Sequence, residues 1–200
     1  MGIVVLALQW LTSTGPKDAW TLHGLWPDNC DGTQGPRNGC DRTRNYNDMR
    51  EIISKDPKLW DQMNTYFSSF KGDNPSFWTH EWTKHGTCVS TLQPDCYDNY
   101  EPKQEVRDFF NKTLELRQRF DLFPVLQEGN LKPGRLYSRN QWLEALQPVF
   151  GKSVVLRCRG NMIQEVHIFL QVYGKDRYEL TGALSHSNCP TRINYPAKNL

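Results

Sequence analysis

Apolar positions along this 200-residue chain follow two rhythms, and the rhythm changes twice. At the start, Ile3-Val4-Val5-Leu6-Ala7-Leu8 runs unbroken towards Trp10. A short apolar run rich in β-branched residues suits a strand over 3–10 that is covered on both faces. The same run resembles the apolar centre of a signal peptide. It lacks a basic leader and a small-residue cleavage site, however, so a strand is expected and any export signal falls outside this sequence. A second strand fits 20–26. Gly, Asp, Asn and Pro then crowd 27–41, which predicts a long loop.

The period next lengthens to that of a helix. Asn47 is positioned to cap a short helix through Lys55. Asp56-Pro57 is an N-cap followed by proline in the first turn, and the helix it opens carries Leu59, Trp60, Met63, Tyr66 and Phe67. A third helix is expected from about Ser76 to His85, stopped by Gly86. Glu101-Pro102 opens the longest, where Val106, Phe109, Phe110, Thr113 and Leu114 fall at i, i+3, i+4, i+7 and i+8. Another begins near Ser138 with Trp142, Leu143 and Leu146. The period then returns to two, predicting strands over 154–158, 163–173 and 178–184 with turns at Arg159-Gly160-Asn161 and Gly174-Lys175-Asp176. Strands at both ends with helices between predict an α+β fold, a largely antiparallel sheet packed against several helices. No repeat, low-complexity tract or linker interrupts the chain, so a single domain over 1–200 is expected.

Composition narrows the function. With 38% hydrophobic and 23% charged residues the chain is not disordered. No stretch approaches the roughly 18 apolar residues of a membrane span, so no membrane partner is expected. The net charge of +2, from 24 basic and 22 acidic residues, does not suit a nucleic-acid coat protein, so an anionic ligand must be held by a local cluster. Cysteines stand at 30, 40, 88, 96, 158 and 189 without a Cys-x-x-Cys spacing. Widely spaced singletons of this kind favour disulfides and an oxidising compartment, secreted or vacuolar.

The chemistry lies in the histidines. There are five, and two sit within His80-Glu81-Trp82-Thr83-Lys84-His85. At about 100° per residue, His80, Lys84, Glu81 and His85 cover less than half of a helix circumference. A zinc-protease helix needs histidines at i and i+4, whereas these are at i and i+5 beside a lysine that repels a cation, so no metal is expected. His23 lies in Trp20-Thr21-Leu22-His23-Gly24-Leu25-Trp26-Pro27-Asp28, where a strand end opens onto a cleft. Three imidazoles, a lysine and a carboxylate suit cleavage of RNA at phosphorus, with the ribose 2′-OH as internal nucleophile. One group must deprotonate that hydroxyl and another must protonate the departing 5′-oxygen, and histidine does both near neutrality. A lysine and a protonated imidazole stabilise the anionic transition state. DNA, lacking the 2′-OH, is refused. The residues alone do not say which imidazole is base and which is acid. His167, in an alternating strand, and His186, near a turn, are read as structural or surface residues. Asn111-Lys112-Thr113 is a glycosylation sequon.

Leu22-His23-Gly24-Leu25-Trp26-Pro27 and His80-Glu81-Trp82-Thr83-Lys84-His85-Gly86-Thr87-Cys88 resemble the two active-site segments of the ribonuclease T2 family. The likeness extends to Gly2-Ile3-Val4-Val5-Leu6 through Gln9-Trp10 and to Asp95-Cys96-Tyr97-Asp98-Asn99-Tyr100, and is closest to the secreted fungal members. It implies His85 as general base, His23 as general acid, His80 as phosphate holder, and Glu81 and Lys84 as stabilisers of the transition state. It further implies an endoribonuclease that forms a 2′,3′-cyclic phosphate; a cofactor-free monomer acting on single-stranded RNA is expected, and the need for one neutral and one protonated imidazole predicts a bell-shaped pH profile with an acidic optimum. Trp26 would stack on the base 5′ of the cut, Asp28 would accept from its exocyclic amine, and Phe77 with Gln9 would form the second base pocket. Fungal relatives commonly place a tyrosine where this chain has Gln34, which implies weaker base preference. The resemblance pairs Cys40 with Cys88 and Cys158 with Cys189. Cys30 and Cys96 are then free, paired together, or joined to cysteines of an extension before Met1. The alternative to an enzyme is a catalytically silent RNA-binding or toxin-like protein retaining the fold. The intact His23, His80, Glu81, Lys84 and His85 argue against it.

Overall fold

The computed structural model describes residues 2–29 and 31–199. The chain runs β1 (Gly2–Gln9), β2 (Thr21–Asp28), α1 (Met49–Ser54), α2 (Pro57–Tyr66), α3 (Asn74–Lys84), α4 (Gln104–Arg119), α5 (Leu122–Glu128), β3 (Arg135–Ser138), α6 (Arg139–Phe150), β4 (Val154–Arg159), β5 (Met162–Tyr173), β6 (Arg177–Leu180) and β7 (Arg192–Tyr195). The strands form one sheet in the order β2-β1-β5-β7-β3, with β4 and β6 both pairing with β5 off that path. Pairing is antiparallel apart from a parallel contact of Met162 with Asn194. The α+β expectation holds.

Side chains alternate across a strand, so β5 separates two environments. Val166, Ile168 and Leu170 join Leu6, Leu8, Leu22 and Leu25 in the main core, against Val106, Phe109 and Phe110 of α4. Burying each such leucine contributes about 1.5–3 kcal/mol. The opposite face holds only a small cluster of Ile3, Val5, Val155 and Phe169, with Trp26 and Ala183 packed on it. His167 and Glu165 share that second face by alternation, next to β1 partners Ala7 and Gln9.

One irregularity positions the chemistry. Along β1–β2, Leu8 faces Leu22 and Ala7 faces Gly24, so His23 is an extra residue with no opposite number. In a regular strand Leu22 and Leu25, three apart, would lie on opposite faces. The bulge lets both enter the core, at 0% and 2% exposure, while His23 turns to the second face.

The helices start where their caps dictate. The Asp56 carboxylate accepts from the Lys58 and Leu59 amides ahead of α2, and Ser138 and Gln141 form a capping box on α6. Asn47 does not cap the first helix. Asp48 is the N-cap there, without a side-chain cap bond, because its carboxylate pairs with Lys103. The longest helix begins at Gln104 rather than Glu101, since Lys103 takes a left-handed conformation at φ 65°. The last expected strand ends at Leu180, short of Leu184, with the Thr181 amide still bonded to the Phe169 carbonyl at 3.0 Å.

Cys40 is bonded to Cys88 and Cys158 to Cys189, with Cα separations of 4.9 and 5.0 Å. Cys96 is exposed and has no disulfide partner among the described residues. Cys30 lies outside the described residues.

Candidate active site

Asp73 caps α3 through the Ser76 amide, and the helix then buries Trp78, Glu81 and Trp82. Position 81 is therefore on the inward face, although it carries a carboxylate, and Glu81 is only 1% exposed. His80, one step round, is exposed. His85 is not part of the helix. It is the C-cap, after which the chain tightens into a short 3-10 turn over Gly86–Cys88. A Cβ at Gly86 would collide with the Trp82 ring, so glycine is required for that turn.

The buried Glu81 carboxylate accepts the Trp26 indole N–H at 2.9 Å, and its other oxygen lies 4.0 Å from Nε2 of both His23 and His80. A Cβ at Gly24 would overlap both Glu81 Oε2 and Trp26 Nε1, so β2 carries glycine where this bond crosses it. His85 stacks on one side of the Trp26 ring, with centroids 5.4 Å apart and planes at 28°. His23 meets Trp26 edge-on at 4.9 Å and Phe77 at 5.9 Å. His80 of the helix, His85 at its C-cap and His23 of the strand thus gather around one indole and one buried carboxylate.

A residue outside both histidine segments completes the group. His23 Nδ1–H donates to Glu165 Oε1 at 2.6 Å, and His167 Nε2–H donates to Glu165 Oε2 at 2.7 Å. Glu165 and His167, two apart on one strand face, share the side of the sheet to which His23 turns. His167, read as structural, also meets the Trp26 ring edge-on at 5.2 Å.

The protonation states diverge. Burial alone would lower the pKa of His23, but the Glu165 hydrogen bond and the Glu81 and Glu165 charges outweigh it and raise it above 6.5. Glu165 is pulled down to about 2: burial opposes this, but the bonds from His167 and His23 prevail. His85 is pushed down to about 3 by burial and by the positive charges of Lys84, His80 and His23. His80 is lowered by burial, then by Lys84 and His23. Glu81 is raised to about 7 by burial, against the pull of His23, Trp26 and Lys84.

Two cavities flank this centre. One, of about 390 Å³, is lined by Trp26, Asp28, Gln34, Lys84, His85 and His167. Burial raises Asp28 to about 6 there. The other, of about 400 Å³, is lined by His23, Phe77, His80 and Glu81, with Phe70 and Ser69 on its rim. Phe70, 69% exposed, is an aromatic wall that the sequence reading missed, since an isolated loop aromatic carries no pattern. Gln9 sits apart from both cavity linings. It is buried, and its amide donates to the Leu22 carbonyl at 2.7 Å and the Ser68 carbonyl at 3.4 Å. Among the described residues, no group of three or more His, Cys, Asp or Glu is arranged to hold a metal ion.

The model of the ribonuclease T2 family matches residues 1–189. Ribonuclease Rh of Rhizopus niveus is 41% identical over 198 residues, covering 98% of this chain and 83% of its own. Ribonuclease Trv of Hypocrea rufa is 39% identical over 197 residues, covering 93% and 82%. The crystal structure of Actibind, described as a T2 ribonuclease, superposes with a TM-score of 0.94 at 32% identity, over 100% of this chain and 89% of that one. A mutant of ribonuclease MC1, crystallised with 5′-UMP, superposes with a TM-score of 0.67 at 25% identity, over 97% and 98%.

Proposed function

The chain belongs to the ribonuclease T2 family and is an endoribonuclease; we propose that it cleaves single-stranded RNA with His85 as base and His23 as acid. The observation that carries this reading is the contrast in surroundings of the two imidazoles at Trp26: His85 stacks on the ring, buried beside Lys84, and His23, at the edge of the ring, is hydrogen-bonded to Glu165. His85, held neutral down to about pH 3, takes the proton of the ribose 2′-OH. The oxygen attacks phosphorus as the P–O5′ bond breaks, and His23, held protonated by Glu165, delivers its Nε2 proton to the leaving 5′-oxygen. The products are a 2′,3′-cyclic phosphate and a free 5′-hydroxyl. With roles reversed, water then opens the ring to a 3′-phosphate.

His80 and Lys84 hold the phosphate by charge. The raised pKa of Glu81 gives that carboxyl a role at an anionic centre. Below about pH 7 it is protonated, so it donates a hydrogen bond to a phosphoryl oxygen instead of repelling it. Trp26, Asp28 and the exposed Gln34 face the 5′ base. Gln34 supplies no second aromatic wall, a loss of about 1–3 kcal/mol of stacking, which supports weak base preference. Phe77 and Phe70 face the other base, and buried Gln9 supports that pocket through Leu22 and Ser68.

We place this single catalytic domain, as a monomer, in a secreted or vacuolar compartment. The two disulfides among the described residues support an oxidising environment. No helix among the described residues is long and apolar enough to cross a membrane. Asn111 is exposed on α4, so a glycan at the sequon would meet solvent. The test is digestion of RNA in EDTA by the parent, His23→Phe and His85→Phe. The parent is expected to be unaffected by EDTA and each variant to lose about 10²–10⁴-fold. Activity persisting in both variants overturns the assignment, and loss of parent activity in EDTA overturns metal independence.

A further inference from the structure

A third cavity, an open groove of about 620 Å³, runs along the outer edge of α3. It shares Arg37 and Lys84 with the Trp26 cavity, and Ser76 and His80 with the Phe77 cavity, so it is continuous with the position of the reacting phosphate. Every residue that lines it has a polar side chain. Arg37, Arg42 and Lys84 supply positive charge, Asn45, Asn47 and Thr79 supply neutral hydrogen-bonding groups, and no carboxylate lines it. The acidic residues close in sequence are committed elsewhere: Asp41 to Arg44 at 2.8 Å and to Thr43, Asp48 to Lys103. Among the described residues, none of Arg37, Arg42 and Lys84 has an ion-pair partner. In a chain with a net charge of only +2, three uncompensated cations along an acid-free groove mark a local anion-attracting surface.

We propose that this groove is a phosphate-tracking subsite for the same RNA strand, in which Arg37 and Arg42 each hold a phosphodiester beyond the one being cleaved. The subsite presupposes the ribonuclease reading above, since its ligand is the rest of the substrate. Asn45 and Asn47 are suited to sugar hydroxyls, and recognition through phosphates and sugars makes the subsite indifferent to sequence. Longer strands then gain the charge of the whole groove, while a dinucleotide in the two base cavities reaches Arg37 at their boundary and not Arg42.

The test uses an uncleavable nine-nucleotide 2′-O-methyl oligoribonucleotide and the corresponding dinucleotide, with binding read by fluorescence anisotropy across a salt series. The parent is compared with the double variants Arg37→Gln with Arg42→Gln and Arg37→Lys with Arg42→Lys. Both arginines are exposed and make no side-chain hydrogen bond among the described residues, and matching far-ultraviolet circular dichroism checks that the variants fold. The Gln variant is expected to lower the nonamer-to-dinucleotide affinity ratio about tenfold. It is also expected to flatten the slope of log Kd against log salt by about 1.4, at about 0.7 per phosphate contact on a single strand. The Lys variant is expected to keep most of both. A Gln variant with the parent's nonamer affinity and salt slope overturns the subsite. Failure of the ribonuclease reading would show separately, as a parent that binds the modified nonamer yet does not cut the unmodified one.

Discussion

Glu165 lies 142 positions from His23 in sequence and 2.6 Å from it in space, and its second oxygen is held by His167. Replacing it with glutamine keeps the shape but removes the charge, leaving the burial of His23 unopposed on that side. Glu165→Gln is therefore expected to move the alkaline limb of the kcat/KM profile about one pH unit towards acid, with Glu165→Asp restoring part of the shift. A purely structural role would lower the whole profile without moving that limb. The candidate site was legible in sequence where it is local. His80, Glu81, Lys84 and His85 crowd one short segment, and histidine is scarce enough elsewhere for that crowding to signify. Glu165 was illegible because a lone carboxylate in a strand is ordinary until the β1–β5 register brings it beside β2. The acid and base roles were illegible for a related reason: they depend on burial and on neighbouring charges, which a residue list does not contain.

At the scale of elements, the loop after β2 is fastened to the end of α3 several times over. Besides the Cys40–Cys88 bond, the Cys40 amide donates to Thr87 Oγ1 at 3.1 Å and that hydroxyl donates to the Thr83 carbonyl at 2.8 Å. Buried Arg44 donates to the Thr87 and Leu92 carbonyls, and Trp82 donates to the Arg44 carbonyl at 2.7 Å. The disulfide closes a span of 48 residues, for which loop-closure entropy alone gives about 4 kcal/mol. Cys40→Ala with Cys88→Ala is expected to lose up to about that much in urea unfolding. The remaining ties are expected to keep the fold active at low denaturant. A change below about 0.5 kcal/mol would mean that they already restrain the unfolded chain. Elements with a cap or a sustained stripe were readable. Asp56 and the Phe109/Phe110 stripe fixed their helices closely. The four-residue strands β3 and β7 were not, because four residues complete too few periods to be told from loop, and their pairing is decided by tertiary contact.

For the whole molecule, pH sets activity through two groups of opposite sign. His85 must lose its proton to act as base, so activity rises through about pH 3; His23 must keep its proton to act as acid, so activity falls above 6.5. The kcat/KM profile of the parent is expected to be bell-shaped with its maximum on the acid side of neutrality. A flat profile between about pH 4 and 8 would reject the two-histidine assignment.

The bulge in β2 has a consequence for how such a site is gained and lost. If His23 is deleted outright, Thr21 still faces Gln9, Leu22 faces Leu8, Gly24 faces Ala7 and Leu25 faces Leu6, and the ladder becomes regular. His23, the proposed general acid, is the residue of β2 that has no register partner on β1. A chain lacking His23 is expected to melt no lower than the parent while losing cleavage, a comparison that thermal unfolding and an RNA digest make directly. Against the regular ladder stands the loss of the His23 bond to Glu165, so the melting temperature of the deletion weighs one against the other.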